Sequence, residues 1–262
     1  MAIHRLAQVH PSVEIGENVE IGPYCIVEED VRIGDNTVLH PHVVIFSHTT
    51  IGCECEIFPG TVLGGPPQDL KARDDRSRVV IGNRNVIREY VTIHRATGDG
   101  EATIIGDDNL LMAYVHIGHN CRVGNHVAIS SYSGVSGHVV IEDRVVMGGM
   151  VGVHQFVRVG TLAMLGGYSK VTQDVPPFML VEGRPAKVYG LNIVGLRRNG
   201  FSPQLRDQLK RAYRLIYRSK LNVSEALDEI ERTFPMSEEL RYLVEFLRNI
   251  RYGRAGRQLD RR

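Results

Sequence analysis

From residue 3 to residue 171 every sixth position forms one apolar series, opened by Ile3, Val9, Ile15, Ile21 and closed by Val159, Leu165 and Val171. Of the 29 positions in that phase 26 are apolar, and the exceptions are Asp69, Asp75 and Asp99. Neither the helical period of about 3.6 nor the strand period of about 2 produces such a series, so it marks a repeat architecture. Four places after a member there usually stands a small or β-branched residue, as at Ala7, Val13, Cys25, Cys55, Cys121 and Ser133. Each hexad therefore reads as a short strand with one large and one small side chain pointing inward, then a turn. Stacked, such strands predict a parallel β-helix in which every turn covers the apolar face of the last. Glycine often follows the large inward residue, as at Gly16, Gly34, Gly52 and Gly118, which predicts tight turns or close backbone approach there.

Two stretches leave the register, predicting loops near residues 64–80 and 95–103 extruded from a corner of the coil. Pro176-Pro177 ends the repeat, and a connector follows. Ser202-Pro203 supplies a helix N-cap and a first-turn proline. The spacing of Leu205, Leu209, Ala212, Tyr213, Ile216 and Tyr217 then predicts a helix over Pro203–Arg218. Further helices are predicted near Ser224–Thr233 and Ser237–Tyr252, with an arginine-rich tail frayed beyond them. The division expected is a mainly β domain over 1–190 and a small α-helical domain over 191–262.

Charge divides the same way. Residues 1–196 carry 15 Lys/Arg against 21 Asp/Glu, and residues 197–262 carry 16 against 9. A basic appendage suits either an acidic partner or a solvated helical surface. No run of about 18 apolar residues occurs, so no membrane span is expected. The four cysteines fit a reducing compartment. Cys25, Cys55 and Cys121 fall in inward slots, and Cys53 and Cys55 make no zinc-type set, so no metal site is read from them.

The stretch His116-Ile117-Gly118-His119-Asn120-Cys121 carries chemistry. With Ile117 and Cys121 inward, His116 and His119 project outward, and histidine suits general-base work near neutral pH. His94, His138 and His154 also occupy outward slots, so three chains packed side by side would share clefts lined by them.

The hexads resemble the left-handed parallel β-helix acyltransferases of the hexapeptide-repeat class, an exception to the right-handed crossover rule. Within that class the chain is most similar to the UDP-N-acetylglucosamine O-acyltransferases of lipid A biosynthesis. The likeness rests on Gln68-Asp69-Leu70-Lys71, Val91-Thr92-Ile93-His94-Arg95, Asp108-Asn109-Leu110-Leu111-Met112, His116-Ile117-Gly118-His119, Ser136-Gly137-His138, Val153-His154-Gln155-Phe156, Gln173-Asp174-Val175-Pro176-Pro177 and Gly200-Phe201-Ser202. These run in the family's order through both loops and into the tail.

The resemblance implies transfer of a long-chain fatty acyl group, 3-hydroxyacyl in kind, from acyl carrier protein to the 3-hydroxyl of UDP-N-acetylglucosamine. It implies no cofactor, a homotrimer with active sites between subunits, no nucleic-acid partner and a bacterial cytoplasmic location. His119 matches the general base, and the backbone N–H of Gly137 the oxyanion donor. Asp69, Lys71, His116, His138, His154 and Gln155 match substrate-lining positions, Asn192 and Arg198 nucleotide-side positions, and Gly167 the acyl-chain ruler, where glycine implies a long donor. Two residues depart from the family's pattern. Asn120 replaces an aspartate after the base; its oxygen can still orient the imidazole, and restoring aspartate is expected to strengthen the base. Val194 replaces a glutamate, so one nucleotide- or sugar-side polar contact is missing or supplied elsewhere. The alternatives are a hexapeptide acyltransferase for another nucleotide sugar, a β-helix enzyme using histidines as zinc ligands, and a non-enzymatic scaffold.

Overall fold

The computed structural model describes residues 2–73 and 76–261; Asp75, one of the breaks in the phase, lies outside the described residues. Two- to four-residue parallel strands wind three to a turn into a left-handed β-helix of triangular section, and each third strand joins the same sheet. The first sheet begins at Ala2–Ile3, the second at Gln8–Val9 and the third at Glu14–Ile15. Partners in register lie 18 residues apart, as Ile3 with Ile21 and Leu111 with Ile129.

Across the first loop that interval widens to 30, between Ile57 and Ile87, and across the second to 24, between Ile87 and Leu111. Against 18, the loops insert 12 and 6 residues. Both are multiples of six, which is why the apolar phase resumes unshifted after each. Both leave the corner between the second and third sheets, on consecutive turns, and the Arg76 N–H donates to Asp99 Oδ1 at 3.3 Å, tying one to the other.

The inward slots form one continuous core: Ile45, Leu63 and Ile117 are 0% exposed, and so are the small-slot residues Cys25 and Cys121. Small polar side chains in that slot bond a carbonyl fifteen residues on. Cys121 Sγ donates to Ser136 O at 3.0 Å, and Thr37 Oγ1 to Gly52 O at 2.9 Å. The first turn is open, and Ile3 is 41% exposed there.

The left-handed backbone of each corner is taken mostly by residues other than glycine, including Tyr114 (φ 63°), Asn120 (φ 57°) and His138 (φ 59°). The glycines after the large inward residue serve close approach instead. A Cβ on Gly34 would stand 2.6 Å from the Gly52 carbonyl carbon in the next turn.

Beyond Pro177 the predicted connector is an antiparallel hairpin, Met179–Gly183 with Ala186–Leu191, which extends the first sheet. A short helix, α1 (Ile193–Arg198), follows, then α2 (Pro203–Arg218), α3 (Val223–Thr233) and α4 (Glu238–Ile250). Their apolar faces bury Leu209, Tyr213, Leu227, Ile230 and Leu243 together with Phe178, Met179 and Leu191.

The arginine-rich tail does not fray. The Gln258 N–H donates to Asp174 Oδ2 at 2.8 Å, Gly256 O accepts from the Asp174 N–H at 2.8 Å, and Gln258 is 4% exposed. A buried carboxylate needs such donors, and the tail supplies one that no local pattern announces.

Candidate active site

Successive turns stack one corner, between the second and third sheets, so that the first loop, the second loop, His119-Asn120, Gly137-His138 and Gln155-Phe156 follow one another along it. There Asp69, Lys71, His116, His119, Gly137 and Gln155 line a cavity of about 550 Å³. Gln68, Leu70, Gly118 and Ser136 complete its wall.

His119 points away from the coil interior, as expected, yet it is only 6% exposed. The first loop covers it: Asp69 Oδ2 stands 4.0 Å from His119 Nε2. Asp69 also shapes that loop, because its Oδ1 accepts the Lys71 N–H at 2.9 Å and its carbonyl accepts the Ala72 N–H at 3.0 Å. One oxygen makes the turn, and the other faces the imidazole.

On its far side the ring meets asparagine. His119 Nδ1 lies 2.9 Å from Asn120 Oδ1. That oxygen already accepts the Thr97 N–H at 2.9 Å, and Asn120 Nδ2 donates to Thr97 O at 3.0 Å. The amide orientation is thereby set, so the hydrogen shared with Asn120 sits on Nδ1 and Nε2 carries the lone pair. His138 packs edge-on against His119 with centroids 5.1 Å apart, and Phe156 stacks on His138 at 4.8 Å.

Gly137 is required by this packing. A Cβ there would lie 2.4 Å from His119 Nε2, so the imidazole occupies the space a side chain would need. Its N–H has no hydrogen-bond partner among the described residues, although the residue is buried. Such a group in a cavity wall is an open donor.

His116 bonds Thr92 Oγ1 through Nδ1 at 2.9 Å, and burial holds its pKa below the ordinary value, with His94 adding to the effect. His94 in turn fastens the start of the first loop, its Nδ1–H donating to Pro66 O at 2.6 Å. His154 stands beside the cavity, its Nδ1 bonded to Gln155 O at 3.0 Å.

Three expected site residues lie apart from the cavity within one chain. Gly167 is at the corner between the first and second sheets, where a Cβ would meet Gly149 O at 3.3 Å. Asn192 caps α1, accepting the Gly195 N–H at 2.9 Å while its Nδ2 donates to Leu162 O at 2.8 Å. Arg198 ends the same helix and is exposed. Thr97 was missed by the sequence pattern. It sits in a stretch without register, and its partner is 23 residues away.

Among the described residues no three of His, Cys, Asp or Glu gather as a metal ion would require, and no helix is long and apolar enough to cross a membrane.

Known proteins bear directly on this site. The family model "Bacterial transferase hexapeptide (six repeats)" matches residues 3–47 and 102–137, and "Udp N-acetylglucosamine O-acyltransferase; Domain 2" matches residues 174–255. A curated relative from Thermodesulfovibrio yellowstonii, named as an acyl-carrier-protein-dependent UDP-N-acetylglucosamine O-acyltransferase, is 48% identical over 94% of this chain and 95% of its own length. The crystal structure of a UDP-N-acetylglucosamine acyltransferase from Bacteroides fragilis superposes with a TM-score of 0.92 at 41% identity, covering 94% of this chain and 97% of that one. A structure from Acinetobacter baumannii gives 0.89 at 42% identity, with 94% and 96% covered. With the likeness running through coil, loops and helical tail alike, the chain belongs to the UDP-N-acetylglucosamine O-acyltransferase family.

Proposed function

We propose that the chain transfers a fatty acyl group from acyl carrier protein to the 3-hydroxyl of UDP-N-acetylglucosamine, with His119 as the general base. The observation that carries the mechanism is the His119 imidazole, held through Nδ1 by Asn120 with Nε2 turned toward a loop-covered cavity. Nε2 takes the proton of the sugar hydroxyl as its oxygen attacks the thioester carbonyl. The Gly137 N–H receives the oxyanion of the tetrahedral intermediate, a role that its open position in the cavity wall supports. Collapse breaks the carbon–sulfur bond, and the departing thiolate takes the proton back from the imidazolium. The Asp69 carboxylate, 4.0 Å from Nε2, favours that cation electrostatically.

Lys71, His116 and Gln155 line the cavity and would hold the sugar, with His138 and His154 beside it. A long acyl chain has a path across the second sheet. Gly134 and Gly152 are paired on its outer face, and a Cβ on either would meet nothing within 4 Å. This bare strip runs between the His119 corner and the Gly167 corner, which supports Gly167 as the ruler and a long donor.

A homotrimer with active sites between subunits would bring Asn192 and Arg198 of a second copy to the nucleotide. The outer face of the first sheet carries Val38, Val86, Leu110, Val146 and Met164, and along its edge Tyr90, Tyr114 and Tyr132 stack with centroids 5.1 and 4.8 Å apart. An apolar face of that extent suits burial against a second copy. The basic helical tail suits an acidic carrier protein by electrostatic steering. Four free thiols suit the reducing cytoplasm of a bacterium.

The test is an acyl-transfer assay with UDP-N-acetylglucosamine and a series of acyl carrier protein thioesters. Wild type should prefer long 3-hydroxyacyl donors, and His119→Ala should lose about 10²–10⁴-fold in kcat. Wild-type activity on a different nucleotide sugar alone, or an active His119→Ala variant, would overturn the reading.

A further inference from the structure

We propose that Thr97, on the second loop, is a positioning residue for His119, and that its peptide selects asparagine rather than aspartate at position 120. The inference rests on the acyl-transfer reading for its kinetic readout. Thr97 lines no part of the cavity and acts through Asn120.

Four hydrogen bonds join that asparagine to the turn that bears the second loop. The Thr97 N–H and Oγ1 donate to Asn120 Oδ1 at 2.9 and 3.0 Å. Asn120 Nδ2 donates to Thr97 O at 3.0 Å, and the Asn120 N–H donates to Thr103 Oγ1 at 2.9 Å. A residue that presents both its N–H and its C=O to a side-chain amide accepts one orientation of it. The flipped amide would set NH₂ against N–H and oxygen against oxygen, leaving two polar pairs unmade. Oδ1 is therefore kept toward His119 Nδ1, and the bare nitrogen is kept at Nε2. Asn120 takes the left-handed backbone of its corner (φ 57°), a conformation asparagine tolerates.

Aspartate could accept the Thr97 N–H and the His119 Nδ1–H equally well. Its second oxygen, however, would face the Thr97 carbonyl where Nδ2 now donates. Two acceptors, one of them charged, would stand at hydrogen-bond distance with no proton between them. The expectation that aspartate strengthens the base therefore reverses for this chain. The gain in charge is offset by a loop that no longer closes on the base.

Three measurements on the full-length protein test this. Nitrogen-15 NMR of histidine-labelled wild type, without substrate, should show the His119 signal of an Nδ1-protonated neutral ring. Asn120→Asp should lower kcat about tenfold with KM for the nucleotide sugar little changed, as expected when a catalytic group is misplaced. Thr97→Val, which removes only the hydroxyl donor, should lower kcat about threefold and broaden the His119 signal toward a tautomer mixture, with Thr97→Ser restoring both. An Nε2-protonated ring in wild type, a kcat for Asn120→Asp at or above wild type, or a Thr97→Val variant with unaltered kcat and signal would each overturn the proposal. The NMR arm needs no turnover, so a failed clamp is distinguishable from a failed reaction assignment.

Discussion

A Cβ on Gly137 would fall 2.4 Å from Nε2 of His119: the position takes no side chain because the imidazole already lies there. The donor proposed for the oxyanion and the base proposed for the hydroxyl are thus one packing unit, contributed by consecutive turns of the coil. Base and donor are spaced by the stacking of the turns, about 4.8 Å per strand, and by nothing more flexible.

Gly137→Ala follows directly. The methyl group cannot be absorbed by the backbone beneath it, so the ring must move. We expect a loss of roughly 10²-fold in kcat, the scale of a displaced catalytic group. Thermal stability should change little, because the ring can swing toward the cavity. A variant with near-normal turnover would show that His119 is not held as described.

Asp69 makes a turn with one oxygen and faces His119 with the other, and substitution can separate the two. Asp69→Asn keeps an acceptor for the Lys71 N–H but removes the charge. It should lower kcat/KM about tenfold with the loop's protease resistance retained, whereas Asp69→Ala should lose both. Equal behaviour of the two variants by both assays would assign Asp69 to the turn alone.

His116 gives a pH signature. Burial, with His94 adding to it, holds its pKa below the ordinary 6.5. Between that value and the lower folded one, the unfolded chain binds more protons than the folded chain, so acidification favours unfolding. The stability tied to His116 is complete above about pH 6.5 and declines as pH falls below it. Besides His94, the side chains of Asp69, Lys71 and His119 share its cavity wall, and they stay in place in a His116→Gln variant. Melting temperatures read from about pH 7.5 down to about 5.5 should fall less steeply for His116→Gln than for wild type. Parallel slopes would contradict this.

The thiols should divide one to three. Cys25, Cys55 and Cys121 are buried, and burial raises the pKa of each, that of Cys121 to about 12. Cys53 is half-buried. A thiol reagent at about pH 8 should modify one cysteine in the folded chain and four after denaturation. Rapid modification of Cys121 in the native protein would show that the coil opens at the turn that carries His119.

The sequence determined the scaffold because the scaffold is periodic. An inward slot every six residues needs only local alternation and stacking to satisfy it, so Ile117 and Cys121 could be turned inward, and His116 and His119 outward, from spacing alone. The breaks at Asp69 and Asp99 marked loops for the same reason. Helix α2 was legible from Ser202-Pro203 and the apolar spacing behind it. The family's motifs, in order along the chain, named the reaction.

Tertiary structure alone decided what depends on partners distant in sequence. That outward-facing His119 is nearly buried follows from a loop some fifty residues earlier folding over it. The glycines could have served turns or close approach, and only the spacing of adjacent turns shows that they serve approach. The ordering of the tail depends on Asp174 finding a donor 84 residues away. Asn120 read from the sequence was a weakened aspartate. Set against the Thr97 peptide, it is the residue whose donor and acceptor both fit, because a hydrogen-bond pattern is complementary only once its other half is in place.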